Sequence, residues 1–169
     1  MIGIDSNILI YAHNRASPYY NEAKQIIHTS IEEDLLGISE ISLREFYAVI
    51  TDGRKVDKPF TPANASILLK NYFQSKRVVV CQLTSEVWEK AFEYMVRYKV
   101  SRYDLDDLFI ALTLWLKGTS TIYTRNIKDF KKFDFIEAVN PFPSAAMRSA
   151  PHAPSYIPYG RQSIDEQDV

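Results

Sequence analysis

Along the chain, short apolar runs alternate with longer segments whose apolar residues recur every three or four positions. "IGID" is a brief apolar run, and "SNILIYAHN" follows with Ile8, Leu9, Tyr11 and Ala12 at helical spacing, which predicts a strand entering a helix. "YYNEAKQIIHTSIEED" predicts an amphipathic helix and "LLGIS" a strand. "ISLREFYAVITD" predicts a helix with Leu43, Phe46, Tyr47 and Ile50 on one face and Glu45 off that stripe. "GRKVDKPFTP" carries the Gly and Pro punctuation of a loop, "ANASILLKNYFQ" is helical, and "RVVVCQL" has the β-branched run of a buried strand. Two helices follow, "SEVWEKAFEYMVRYKV" and "YDLDDLFIALTLWLKG", the second closing at Gly118, where a left-handed cap is expected. "TSTIYT" predicts a strand, "RNIKDFKK" a turn with a short helix, and "FDFIEAVN" the last strand. Strands alternating with helices predict an α/β fold of three layers, α/β/α, around a central, mostly parallel sheet.

From Pro141 the periodicity stops. "PFPSAAMRSAPHAPSYIPYGRQSIDEQDV" holds five of the eight prolines and no helical or alternating pattern, so residues 143–169 are expected to form a Pro-rich tail outside a domain spanning 1–142.

Composition narrows the field. The 169 residues are 46% hydrophobic and 13% aromatic, enough for one domain with its own core. The net charge of -1 lacks the global basic field of many nucleic-acid binders, so a phosphate partner must be held by local contacts. The single cysteine, Cys81, allows no internal disulfide, and His13, His28 and His152 lack zinc-site spacing, which fits a reducing cytoplasm. No export signal is visible, and no apolar run approaches the roughly 18 residues a membrane span needs.

The chemistry lies in the carboxylates. An open parallel sheet builds its site beyond the carboxyl ends of its strands. Asp5 ends the first predicted strand, Glu45 lies in the helix after "LLGIS", and Asp129 follows "TIYT" by a short turn. Asp104 and Asp107, three apart, share a face at the start of "YDLDDLFIAL", while Leu105, Leu108 and Leu112 turn toward the core. Such acids repel one another, so they take up protons or bind a cation, and all-oxygen ligands select Mg²⁺ or Mn²⁺. A hydrated divalent ion that activates water and neutralises a phosphate oxygen points to phosphodiester hydrolysis.

Each residue also has an ordinary structural explanation. Asp5 and Ser6 can cap the next helix, Glu45 can be a solvated helix residue, and Asp104 with Ser101 matches a capping pattern in "SRYD". Asp107 can answer the helix dipole, Asp106 is expected to face solvent, and Thr124, Asn126 and Asp129 can be turn formers. Tyr72, Phe73, Trp88, Tyr94 and Trp115 read as core, and the basic groups Lys76/Arg77, Arg97/Lys99/Arg102 and Lys128/Lys131/Lys132 as solvated surface.

Taken in order, "IDSNILIYA", "SLREFYAVIT", "DLFIAL" and "IYTRNIKDF" resemble the four motifs of the PIN domain, specifically the VapC-like ribonuclease toxins of prokaryotic toxin-antitoxin pairs, over about residues 1–142. The resemblance implies a Mg²⁺-dependent endoribonuclease acting on RNA, with a cognate antitoxin and a homodimer. It makes Asp5 and Asp107 the principal metal ligands and Glu45 the third acid. Where the family often has an aspartate two residues after the threonine, this chain has Asn126, and Asp129 is expected to supply the charge. Thr124 then orients the site, and Ser6 and Asn7 support the Asp5 turn. Two other readings stand beside this one: an RNA-processing PIN nuclease without a toxin role, and a non-catalytic PIN-like interaction module. A receiver domain or aspartyl phosphatase fits less well, since the first strand offers one acid and no paired lysine follows a later strand. The tail, from Met147, is similar to the opening of sugar-nucleotide aminotransferases of the pyridoxal-phosphate type; it lacks their cofactor-lysine region and is read as a fused or read-through gene end.

Overall fold

A computed structural model describes residues 1–142 of the chain; the expected tail lies outside them. Five strands form one sheet in the order β3-β2-β1-β4-β5, with β1 Ile2–Ile4, β2 Leu36–Ser39, β3 Val78–Cys81, β4 Thr121–Tyr123 and β5 Glu137–Val139. Every pairing is parallel, for example Ile4 beside Ile38 and Ile4 beside Tyr123, so the sheet is wholly rather than mostly parallel. Seven helices surround it: α1 Ser6–His13, α2 Tyr20–Glu33, α3 Glu40–Ile50, α4 Pro62–Gln74, α5 Ser85–Arg97, α6 Leu105–Trp115 and α7 Ile127–Phe130. Each expected element is present, because the periodic segments were long enough to favour one structure and Gly and Pro punctuated their ends.

Alternation along the strands divides the interior in two. Ile4, Leu36 and Ile38 point to one face, where they pack with α1, α3 and α4 residues such as Leu9, Phe46 and Ala65. Cys81 and Ile122 point to the other, against Ala91 of α5 and Leu108 and Leu112 of α6. Residues 108–114 of α6 are buried on every side of the helix. The helix lies close on the sheet because β1 carries Gly3, where a Cβ would stand 2.9 Å from Leu114 Cδ1. A larger residue there would have to displace the Leu114 side chain, with Thr119 Cγ2 also only 3.2 Å away. Gly118, at φ 85°, turns the chain from α6 toward β4 in the left-handed region, as its position predicted.

Side chains depart from expectation in a few places. Tyr72 and Tyr94 are buried, but Phe73 and Trp88 are 55% and 43% exposed, since α4 and α5 lie at the periphery and cover the sheet with one face only. Several basic residues read as solvated surface are structural ties: Arg77 donates to the Ile31 and Glu32 carbonyls at the end of α2, and Arg97 pairs with Asp134.

Candidate active site

The chain builds β1, β2 and β3 in succession to one side, then returns past β1 to build β4 and β5 on the other. The order therefore reverses between β1 and β4, and the crevice beyond their carboxyl ends is where such sheets place ligands. Asp5 and Thr124 are the residues that leave these two strands. The Asp5 amide donates to the Tyr123 carbonyl at 3.0 Å, carrying the strand pairing up to the rim.

Asp5 is buried, and its charge is met by four hydrogen bonds. Oδ1 accepts from the Ser6 amide at 2.6 Å and from Ser6 Oγ at 3.2 Å; Oδ2 accepts from Asn7 Nδ2 at 2.6 Å and Thr124 Oγ1 at 2.7 Å. Asn7 Nδ2 also reaches Thr124 Oγ1 at 3.0 Å, so "DSN" and the threonine form one closed network. Asp5 is the N-cap residue of α1, and its charge also acts on Glu45 and Asp107. Burial still raises its pKa, and Asp129 adds to the rise, despite the bonds to Thr124 and Ser6.

Three further acids act on this corner. Burial, then the charge of Asp5, pushes Glu45 up to about 7 against the lowering influence of the nearby Ser6 hydroxyl. Burial, then Asp5, Asp129 and Glu45, pushes Asp107 up to about 8. Glu45 arrives on α3 and Asp107 on α6, and these helices are fastened where α3 begins: Thr113 Oγ1 of α6 donates to Ser39 Oγ at 3.1 Å, and Ser39 Oγ caps α3 through the Ile41 amide at 3.3 Å. Asp129 lies in the first turn of α7, its amide bonded to the Asn126 carbonyl at 3.1 Å. Asp5, Glu45, Asp107 and Asp129 thus come from four separate segments to influence one another.

Asn126 and Asp104 play different parts. The Asn126 amide donates to Thr124 Oγ1 at 2.9 Å, so this residue steadies the threonine. Asp104 turns its carboxylate to the Ser101 amide at 3.0 Å, Ser101 Oγ at 2.6 Å and Lys132. Asp104 is the N-cap residue of α6, three before Asp107, and its charge adds to the rise at Asp107 while its carboxylate is engaged by Ser101 and Lys132. Asp106 is exposed, as expected, yet its charge reaches Glu45. Arg125, between Thr124 and Asn126, was missed by sequence reasoning. Its amide donates to Asn7 Oδ1 at 3.3 Å, and only its place inside "TRN" could have drawn attention to it.

Among the described residues, no three Asp, Glu, His or Cys side chains stand close enough to enclose a cation unaided. The acids influence one another without forming a closed cage. Their all-oxygen donor set and mutual repulsion suit a small hard ion such as Mg²⁺, which keeps several waters of its own. Asp5, Glu45, Asp107 and Asp129 are the residues that would hold it.

A wholly parallel sheet with carboxylates gathered near its switch point defines an α/β domain with an acidic site. The chain belongs to the PIN domain family, whose model matches residues 2–136. It is 28% identical to ribonuclease VapC24 of Mycobacterium tuberculosis over 147 residues, covering 85% of this chain and 99% of that protein. Its fold resembles the crystal structure of VapC20 from the same organism, described as a sarcin-ricin loop cleaving toxin, with a TM-score of 0.62 at 20% identity, covering 81% of this chain and 98% of that one. VapBC2 of Rickettsia felis, solved with a fragment of promoter DNA, aligns with a TM-score of 0.60 at 19% identity over 83% of this chain and 98% of that one. A toxin-antitoxin complex from Klebsiella pneumoniae gives 0.57 at 22% over 84% and 98%.

Proposed function

We propose that this PIN-domain chain is a Mg²⁺-dependent endoribonuclease, the toxin of a toxin-antitoxin pair acting in the cytoplasm. The observation that carries this reading is the convergence of Asp5, Glu45, Asp107 and Asp129 on one strand end, with two of them pushed to about 7 and 8. Acids crowded until two of them keep protons to near-neutral pH form a site where a cation can take the place of those protons. Similarity to a ribonuclease along nearly that protein's whole length supports RNA as the substrate. The solved complexes support a cognate antitoxin, and Mn²⁺ is expected to substitute for Mg²⁺.

A bound Mg²⁺ would neutralise a phosphate oxygen and lower the pKa of a water for attack on phosphorus. The chain's own part is orientation. Asp5 and Asp107 are the principal ligands, and the network of Ser6, Asn7 and Thr124 fixes the Asp5 carboxylate before any ion arrives. The four hydrogen bonds fill the lone-pair sites of Asp5, so one donor must yield to an ion. Ser6 Oγ, the longest at 3.2 Å, can turn toward Glu45 and open Oδ1. Glu45, raised to about 7, is placed to accept a proton from a water at the site, and Asp129 adds negative charge beside Asp5 and Asp107.

The test is single-turnover cleavage of RNA by the purified chain, with sequencing of RNA ends after its expression in cells. Defined new ends that require Mg²⁺ or Mn²⁺ and vanish in Asp5→Asn support the proposal. Cleavage that survives Asp5→Asn or persists in EDTA overturns it.

A further inference from the structure

Arg125 directly follows Thr124 and is exposed, yet its side chain is held. Its Nη1 donates to the Tyr11 hydroxyl at 3.3 Å, and its guanidinium carbon lies 4.8 Å from the centroid of the Tyr19 ring. Behind it Tyr11, Tyr19 and Phe142 pack together, with ring centroids 5.1, 5.8 and 4.7 Å apart. The residue is also tied to the reacting corner. Its amide donates to Asn7 Oδ1, and Asn7 Nδ2 donates to Asp5 Oδ2, two hydrogen bonds from arginine backbone to carboxylate.

What the guanidinium does not do is equally informative. Among the described residues the side chain is held by Tyr11 and Tyr19 alone, and no carboxylate forms a salt bridge with Arg125. Tyr11 takes one of five N–H donors, and the tyrosines fix the plane of the fork. An arginine held in place on aromatic rings loses little freedom when it binds, and its fork matches two oxygens of a phosphate. With a net charge of -1, the chain needs such local contacts to hold a polyanion.

We propose that Arg125 binds an RNA backbone phosphate adjacent to the one in the acidic site, with Tyr11 and Tyr19 holding its guanidinium for that contact. The assignment rests on the ribonuclease reading above. It makes Arg125 a sequence-independent anchor that sets the register of the strand across the carboxylates.

The test measures binding of labelled single-stranded RNA by anisotropy in EDTA over a salt series, for the parent chain, Arg125→Ala, Arg125→Lys and the remote control Lys90→Ala. Removing Arg125 is expected to weaken binding about tenfold for RNAs of unrelated sequence, and to flatten the slope of log Kd against log salt by about 0.7, the share of one phosphate on a single strand. Arg125→Lys should keep the slope while losing part of the affinity, and Lys90→Ala should change neither. With Mg²⁺ present, KM should rise about tenfold in Arg125→Ala while kcat stays within about twofold; this split decides the matter where EDTA weakens parent binding beyond measurement. Arg125→Gln, which keeps side-chain bulk over Tyr19, replaces the alanine variant if that one fails to fold. If the parent binds and cleaves RNA while the variants match it in slope and KM, the Arg125 assignment falls alone. If the parent neither binds nor cleaves RNA, the ribonuclease reading falls and takes this one with it.

Discussion

Thr124 Oγ1 donates to Asp5 Oδ2 at 2.7 Å, joining residues 119 positions apart across the carboxyl ends of β4 and β1. Both residues are buried, so the bond stands where little water competes for it. Thr124 also accepts from the Asn126 amide and from Asn7 Nδ2, which makes its hydroxyl the junction between the first and last motifs of the chain.

Thr124→Val keeps the shape and removes the hydroxyl. We expect a loss of about 1–3 kcal/mol in urea unfolding, from leaving buried donors unpaired. Cleavage should fall about 10–100-fold through misorientation of Asp5, and Thr124→Ser should recover most of both. A valine variant with parental cleavage would show that the Asp5 orientation does not depend on this bond.

Asp107→Asn removes one charge from a crowded site. In EDTA near pH 8 it should melt at a higher temperature than the parent, because the repulsion with Asp5, Asp129 and Glu45 is relieved. It should also lose the Mg²⁺-induced rise in melting temperature and at least about 100-fold in cleavage. Zn²⁺ should not be the specific activator of the parent. Calorimetry with and without Mg²⁺ separates these effects.

Asp129 and Asn126 can be distinguished by charge. Asp129→Asn should lower single-turnover cleavage substantially at saturating Mg²⁺, since Asp129 is the member of the pair whose charge reaches Asp5 and Asp107. Asn126→Asp should preserve or raise the rate by adding charge near the cation. Asp104→Asn should cost about 1 kcal/mol of stability through its turn and leave cleavage nearly intact. Silence at Asp129 with inactivity at Asp104 would reverse the two assignments.

The pH dependence follows from Glu45 and Asp107, whose folded values of about 7 and 8 lie above their ordinary values of 4.5 and 3.8. A carboxyl with a raised pKa binds its proton more tightly when folded. Its contribution is complete below its ordinary value and disappears as pH rises through the folded one. In EDTA this contribution should therefore lower the melting temperature between about pH 5 and pH 8.5. Mg²⁺ must displace those protons, so its stabilising effect and the cleavage rate should both grow over the same interval. A Mg²⁺ effect that is constant with pH would show that neither acid binds the ion.

By itself the sequence determined the order and type of the elements, because period-2 and period-3.6 patterns follow from local backbone geometry. It also placed Asp5 and Thr124 at the same end of the sheet, because each directly follows a strand. Reading Glu45 as off the apolar stripe was within its reach, since that depends only on position along one helix. Tertiary structure decided the rest. Whether Asp5 was a cap or part of an acidic site depended on the reversal of strand order between β1 and β4, which brings Thr124 and the other acids to it. The pattern "SRYD" pointed to the bonds between Ser101 and Asp104, but the tie from Asp104 to Lys132, and the closeness of Asp107 to Asp5, Asp129 and Glu45, exist only in the folded chain. Arg125 had no periodic or compositional signal, because a guanidinium's worth depends on what surrounds it. Tyr11 and Tyr19 belong to the first twenty residues, and only folding sets them beneath an arginine more than a hundred positions later.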